Sequence, residues 1–156
     1  MSDLDALYRE LILDHSKHPQ HFGLTDEGDA PATVGTIGTS HQKNPVCGDE
    51  ITLRARVDGE TIADVRWEGR GCSISQASAS MLADLVAEEG LSRAEAVALI
   101  EGFREALRSR GQLELDEEIY GDAAALSGVS KFSARVKCAM LAWVALEADL
   151  KQIAAK

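Results

Sequence analysis

Ile51-Thr52-Leu53-Arg54-Ala55-Arg56-Val57, then Asp58-Gly59, then Ala63-Asp64-Val65-Arg66-Trp67-Glu68 is the stretch on which the fold turns. Apolar and polar residues alternate on both sides of an Asp-Gly pair, the signature of a β-hairpin with one buried and one wet face. A hairpin alone is marginal in water, so its apolar face must be covered. The only cover available in this chain is helical. A preceding stretch, Thr33 to Thr39, has the β-branched content of a strand interrupted by glycines and reads as an edge strand. The expectation is an α+β fold: a small three-stranded antiparallel sheet with helices packed on one face.

Working outward, the hairpin is flanked at one end by two chemically loaded segments. Before it stands Asn44-Pro45-Val46-Cys47-Gly48-Asp49-Glu50. Pro45 fixes a torsion and Gly48 permits a tight turn, so a thiol and a carboxylate two residues apart can be aimed at one point. After it, Gly69-Arg70-Gly71-Cys72 enters a stretch with helical period through Ile74, Ala77, Met81 and Leu85. Cys72 is therefore expected at a helix N-terminus, where free amides and the helix dipole favour thiolate over thiol. The serines and alanines of residues 73–80 make that helix thin enough for another to approach closely.

The third and last cysteine, Cys138, lies in the final helix within a stripe of small residues, Ala134, Ala142 and Ala145, beside a broad apolar face of Phe132, Val136, Met140, Trp143 and Leu150. Arg135 sits three residues earlier, near the same side. Three thiolates and Asp49 suit a tetrahedral zinc ion in which the oxygen donor is the most easily displaced. Arg135 would offset the negative charge of such a set. The spacing matches no zinc-finger ladder, because the donors are spread over most of the chain.

The remaining elements are helical. Leu4, Leu7, Tyr8, Leu11 and His15 share a face that ends at Lys17-His18-Pro19, and His15, His18 and His21 read as surface and capping residues rather than ligands. Ser92 and Glu95 form a capping box ahead of Val97, Ile100, Phe103 and Leu107, with Gly111 as a stop. Thr25 to Pro31 reads as an acidic turn region. Gln112 to Gly128 reads as an acidic surface connection with a short helical turn at Ala123 to Leu126, the alternative for so long a connection being a lid or docking loop near the site, and Ser130 reads as the cap of the last helix.

With 156 residues, of which 45% are hydrophobic and 4% aromatic, the chain is most simply one domain, residues 1–156, with an aliphatic core. A net charge of -10 argues against phosphate-backbone binding and so against nucleic acid as a partner. The first residues lack the basic flank and apolar core of a signal peptide, and no stretch approaches the ~20 apolar residues of a membrane span. Widely spaced cysteines in odd number then suit the cytoplasm and metal or sulfur chemistry rather than disulfides.

Four stretches together carry a resemblance. Leu7-Tyr8 through Asp14-His15 and Pro19, Asn44 to Asp49, Gly69 to Ser75, and Gly128 to Phe132 through Arg135-Val136-Lys137-Cys138-Ala139 are similar to the scaffold family of iron-sulfur cluster assembly. The type is that of IscU and the NifU N-terminal domain. Lys137 in place of the usual IscU histidine, and the region between Gly111 and Gly128, resemble its SufU branch. The resemblance implies zinc held by Cys47, Asp49, Cys72 and Cys138 at one end of the fold. It further implies Cys47 as sulfur acceptor, a SufS-type cysteine desulfurase as donor, and downstream iron-sulfur assembly proteins as recipients.

Two functions compete for one site. In the first, the protein is a zinc-dependent sulfurtransferase, with Cys47 and Arg135 as its reactive and charge-balancing residues. In the second, it is a scaffold on which a transient iron-sulfur cluster is built on the same ligands. A metal-stapled interaction module without sulfur chemistry is a third reading, and a cysteine hydrolase lacks an obvious histidine base.

Overall fold

The computed structural model describes residues 3–24, 36–44 and 48–154. Cys47, with Pro45 and Val46, lies outside them, as do the Thr25 to Pro31 turn region and the first residues of the expected edge strand. Helix α1 (Asp3–Lys17) is followed by strands β1 (Thr36–Lys43), β2 (Glu50–Asp58) and β3 (Thr61–Arg70). Then come α2 (Ser73–Glu89), α3 (Arg93–Arg108), a single turn α4 (Glu117–Tyr120), a 3₁₀ segment (Gly121–Lys131) and α5 (Ser133–Ala154).

The three strands form an antiparallel sheet in the order β1-β2-β3, with β1 on the edge. Ile51, Leu53, Ala55 and Val57 face inward from β2, as their alternation requires. On β3 the expected inward set was Ala63, Val65 and Trp67, but Ile62 is buried and Ala63 exposed. The register shifts at Arg56/Val57, where Arg56 pairs with Asp64 and Val57 with Ile62, leaving Ala63 as the extra residue of a bulge. The bulge exchanges faces, so the larger Ile62 enters the core. Helix α5 covers β1 and β2, and α2 covers β3, all from one side of the sheet.

The far edge of β3 is covered by the chain leaving α1. The Trp67 amide donates to the His21 carbonyl and the Gly23 amide to the Trp67 carbonyl, while the Trp67 indole donates to the Gln20 carbonyl. This satisfies an edge that would otherwise present unpaired backbone.

Helix α2 is as thin as its sequence implies: Ala77, Ser78, Ala79, Ser80 and Ala83 are all buried, with α1 and α5 packed on it. Its buried hydroxyls are paired. Ser78 donates to the Ala139 carbonyl and accepts from the Trp143 indole. Ser80 meets His15 Nδ1 at 2.7 Å and accepts from the Gln20 amide.

His15 is thus not a surface residue but a buried strut, its Nε2 2.9 Å from Asp122 in the 3₁₀ segment. No local signal distinguishes such a histidine from a cap, because both its partners are distant in sequence.

The Ser92–Glu95 capping box forms as expected. The buried face of α3 is Ala96, Leu99, Ile100, Phe103, Ala106 and Leu107, whereas Val97 is exposed. Phe103 stacks on Trp143 at 3.8 Å, and Tyr120 leans on both while donating to the Leu99 carbonyl. Tyr120, Leu115 and the run Ala123 to Leu126 are buried, so the stretch expected as a surface connection is instead part of the core. Its acidic side chains face outward while alanines face inward, and 3₁₀ geometry hides that pattern from a search for α-helical period. Ser130 lies inside this segment, bonded to the Ser127 carbonyl, and α5 begins at Ser133 with Phe132 exposed before it.

One buried charge stands out. Asp149 of α5 is fully enclosed under β1, where the Gly38 backbone packs so tightly on it that a Cβ there would lie 2.6 Å from the Asp149 carbonyl oxygen. Neither carboxylate oxygen has a well-formed hydrogen bond. Burial pushes this carboxyl from its ordinary 3.8 up to about 8, only partly opposed by the nearby Ser40 hydroxyl and Ala55 backbone. The folded state therefore holds a proton that the unfolded chain releases. That contribution is complete below pH 3.8 and is lost as pH rises through about 8. Asp149→Asn, which cannot ionise, should gain stability relative to wild type as pH rises from 5 to 9. The slope of the difference is limited to about 1.4 kcal/mol per pH unit. Urea unfolding at several pH values checks this, and parallel curves for the two proteins would refute it.

Candidate metal centre

The ends of all three strands meet at one place. Lys43 pairs with Glu50 and Glu50 with Arg70, so Asn44, Asp49 and the exit of β3 toward Cys72 lie close together. Asn44 is bonded to both Gly48 and Asp49: the Gly48 amide donates to the Asn44 carbonyl and the Asn44 amide to the Asp49 carbonyl, both at 2.8 Å. Gly48 has φ +76°, in the left-handed region that glycine adopts without a Cβ clash.

Asp49 is turned inward and is 4% exposed. Its Oδ1 accepts from the Cys72 amide at 3.2 Å and its Oδ2 from the Cys72 thiol at 3.5 Å. Cys72 is the N-cap of α2, and its extended backbone leaves the thiol exposed at the helix start. Cys138 approaches from the early turns of α5, its buried thiol directed at the Ala134 carbonyl at 3.8 Å. One carboxylate oxygen and two sulfurs from a loop, a helix start and a helix body thus lie within 4.8 Å of one another.

The residues present fit a thiophilic ion or an iron-sulfur unit. Two sulfurs and an oxygen converge with the carboxylate drawn out of solvent, and glycine makes the room. A Cβ on Gly71 would lie 2.7 Å from the Asp49 carboxylate and 2.5 Å from Ser75 Oγ, so the residue before Cys72 forms the cradle for Asp49.

Glu50, next to Asp49, was not recognised from the sequence. It receives the Arg70 guanidinium at 2.7 Å and lies 3.1 Å from His41. The His41 hydrogen bond first and Arg70 second hold its carboxyl below the ordinary carboxylate range. This bracket ties β1, β2 and β3 together at the end that carries the donors. Counting register back from the Asp58-Gly59 turn would have found the pair, had the bulge been known.

Arg135, on the first turn of α5, is exposed with its guanidinium 5.8 Å from the centre of the Phe132 ring.

A family model described as the NifU-like N-terminal domain matches residues 7–152. The chain belongs to that family. Among its relatives are the zinc-dependent sulfurtransferase SufU of Bacillus subtilis, 40% identical over 94% of this chain and 90% of that one, and the iron-sulfur cluster assembly scaffold protein IscU of Streptococcus pyogenes, 40% identical over 99% and 89%. A crystal structure from Fervidobacterium islandicum, described as a candidate iron-sulfur cluster assembly scaffold protein for the SUF system, is 32% identical with a TM-score of 0.76, covering 90% of this chain and 94% of that one. Membership of the NifU-like family thus agrees with the likeness read from the four sequence stretches.

Gly71→Ala should displace the Asp49 carboxylate while leaving the fold intact, since Gly71 does not occupy the left-handed region. Zinc affinity, measured by competition with a chromophoric chelator, is expected to fall about 10- to 100-fold, the range for disturbing the support of a ligand. Unchanged affinity would remove Asp49 from the ligand set.

Proposed function

We propose that this protein works in iron-sulfur cluster assembly through Cys47, Asp49, Cys72 and Cys138, as a scaffold that holds a nascent cluster as its cargo. The observation that carries the reading is the convergence of Asp49, Cys72 and Cys138 from three separate elements. Broad support comes from the relatives, most of which bear scaffold names, including that of Streptococcus pyogenes and one from Thermotoga maritima at 38% identity over 94% of this chain. In this reading the thiolates and Asp49 hold iron while a partner cysteine desulfurase supplies sulfur as a persulfide, whose outer sulfur an external thiol reductant reduces by two electrons to sulfide, and the displaceable carboxylate is the point of release. Cys72, exposed, is the donor within reach of a recipient protein.

The second reading, a zinc-dependent sulfurtransferase, is favoured by the Bacillus subtilis relative and by Lys137 where IscU-type chains carry histidine. A bound zinc ion would keep its sulfur ligands deprotonated. The Cys47 thiolate would attack the outer sulfur of a persulfide on a SufS-type desulfurase. The persulfide S–S bond breaks, a new one forms on Cys47, and the desulfurase cysteine leaves as thiolate. Arg135 would balance the negative charge of the site. Downstream assembly proteins then take the sulfur.

One preparation separates the two. Protein made anaerobically is analysed for zinc, iron and acid-labile sulfide, then incubated with desulfurase, cysteine and ferrous iron. A scaffold gains visible charge-transfer absorption with iron and sulfide in near-equal amounts, and Cys72→Ala and Cys138→Ala abolish it. A sulfurtransferase carries about one zinc per chain, stimulates alanine production by the desulfurase, and shows persulfide on Cys47 by mass spectrometry. Cys47→Ala ends that stimulation, and chelation lowers the melting temperature of the zinc form. An intact fold with neither behaviour would leave a metal-stapled interaction module.

A further inference from the structure

A second group of donors lies at the other end of α2. Asp84 and Glu88 stand one turn apart on that helix, and His21 reaches them from the segment that covers the β3 edge. His21 Nε2 is 3.9 Å from Asp84 Oδ1 and 3.5 Å from Glu88 Oε1, and one atom from each residue lies within 4.8 Å of the other two. These separations exceed the usual N–H···O range of about 2.7–3.2 Å. They lie close to the ligand-to-ligand edges of a coordination shell, roughly 3.0–3.4 Å for metal-ligand bonds of about 2.1 Å.

The local electrostatics independently call for a cation. Asp84 and Glu88 are like charges at i,i+4, a repulsive spacing. They fall toward the C-terminal end of α2, where the helix dipole opposes anions, and the last turn contains no basic residue. Glu89 adds a further charge there in a chain whose net charge is -10. The one imidazole facing the pair can bring at most a single positive charge to two carboxylates.

The imidazole is also held ready. His21 has φ +60°, its carbonyl accepts from the Trp67 amide, and the next residue, Phe22, packs edge-on against the Trp67 ring at 4.9 Å. The side chains of His21, Asp84 and Glu88 are 17%, 41% and 68% exposed, so the group has one dry wall and one side open to water.

We propose that His21, Asp84 and Glu88 form a second metal site, for a first-row divalent cation such as Mn²⁺, Fe²⁺ or Zn²⁺. One nitrogen and two oxygen donors suit that class better than the all-oxygen shells of Ca²⁺ and Mg²⁺. The site is separate from the cysteine centre, because Asp84 lies more than three turns from Cys72 along α2, about 18 Å at 1.5 Å per residue. It is independent of the function proposed above.

The test titrates the full chain with Mn²⁺, followed by the loss of the free-ion EPR signal, since Mn²⁺ has little preference for thiolates. Wild type should bind one ion per chain at this site. His21→Ala and the double variant Asp84→Asn, Glu88→Gln should each weaken it at least tenfold, while Cys72→Ser leaves it unchanged. Circular dichroism confirms that each variant is folded, and the carboxylate pair, being more exposed, provides the measurement if His21→Ala is not. Absence of binding in wild type, equal affinity in the folded variants, or loss of binding in Cys72→Ser alone would each overturn the proposal; the first would leave His21 as an ion-pair partner only.

Discussion

The close approach of α5 to α2 is the constraint on which the rest depends. Ser78 sits at the contact, donating to the Ala139 carbonyl at 2.6 Å and accepting from Trp143 at 2.8 Å. A larger residue at position 78 would lever the helices apart, and an apolar one of the same size would leave the indole N–H without its buried acceptor. Ala139 follows Cys138 directly, so the bond that seats Trp143 in the core also fixes how far the Cys138 sulfur stands from the start of α2. Core packing and donor geometry are therefore one problem. The Phe103–Trp143 stack extends the same contact to α3, and Tyr120 extends it to the 3₁₀ segment.

The sheet contributes position rather than chemistry. Its strands end together at the Glu50 bracket, which presents Asp49 on one side and Gly71-Cys72 on the other. Among the described residues that end of the sheet supplies the donors, while the opposite end is occupied by the Gly59 turn and by backbone bonds to Leu91 and Arg93. The strand pair delivers two candidate donors, and an independently packed helix brings the third. This arrangement lets the exposed Cys72 stay accessible while Cys138 is anchored.

Polar groups in the interior are matched with unequal care. His15 is enclosed between Ser80 and Asp122, and Ser80 also satisfies the Gln20 amide, so the network joins α1, α2 and the 3₁₀ segment. Asp149 has no such network and settles its account by holding a proton. The contrast follows from neighbours. Near Asp149 the polar groups are the Ala55 backbone and the Ser40 hydroxyl, and that hydroxyl donates to the Ala145 carbonyl.

The sequence by itself determined the hairpin, the capping box of α3, the thinness of α2 and the place of Cys72 at a helix start. Each rests on periodicity or on residues a few positions apart, which local sterics and hydrogen bonding decide. The donor types that come together were legible as well, since the carboxylate of Asp49 and the thiols of Cys72 and Cys138 limit the chemistry whatever the fold. Tertiary structure alone decided that Ala63 would bulge and Ile62 turn inward, and that Leu115, Tyr120 and Ala123 to Leu126, within the expected connection, would be buried in the core. It also decided that His15 would be buried and that His21 would face Asp84 and Glu88. Each of these depends on partners tens of residues away, brought within a few ångströms only when the sheet face and the small-residue surface of α2 are buried together, and no local pattern records that juxtaposition.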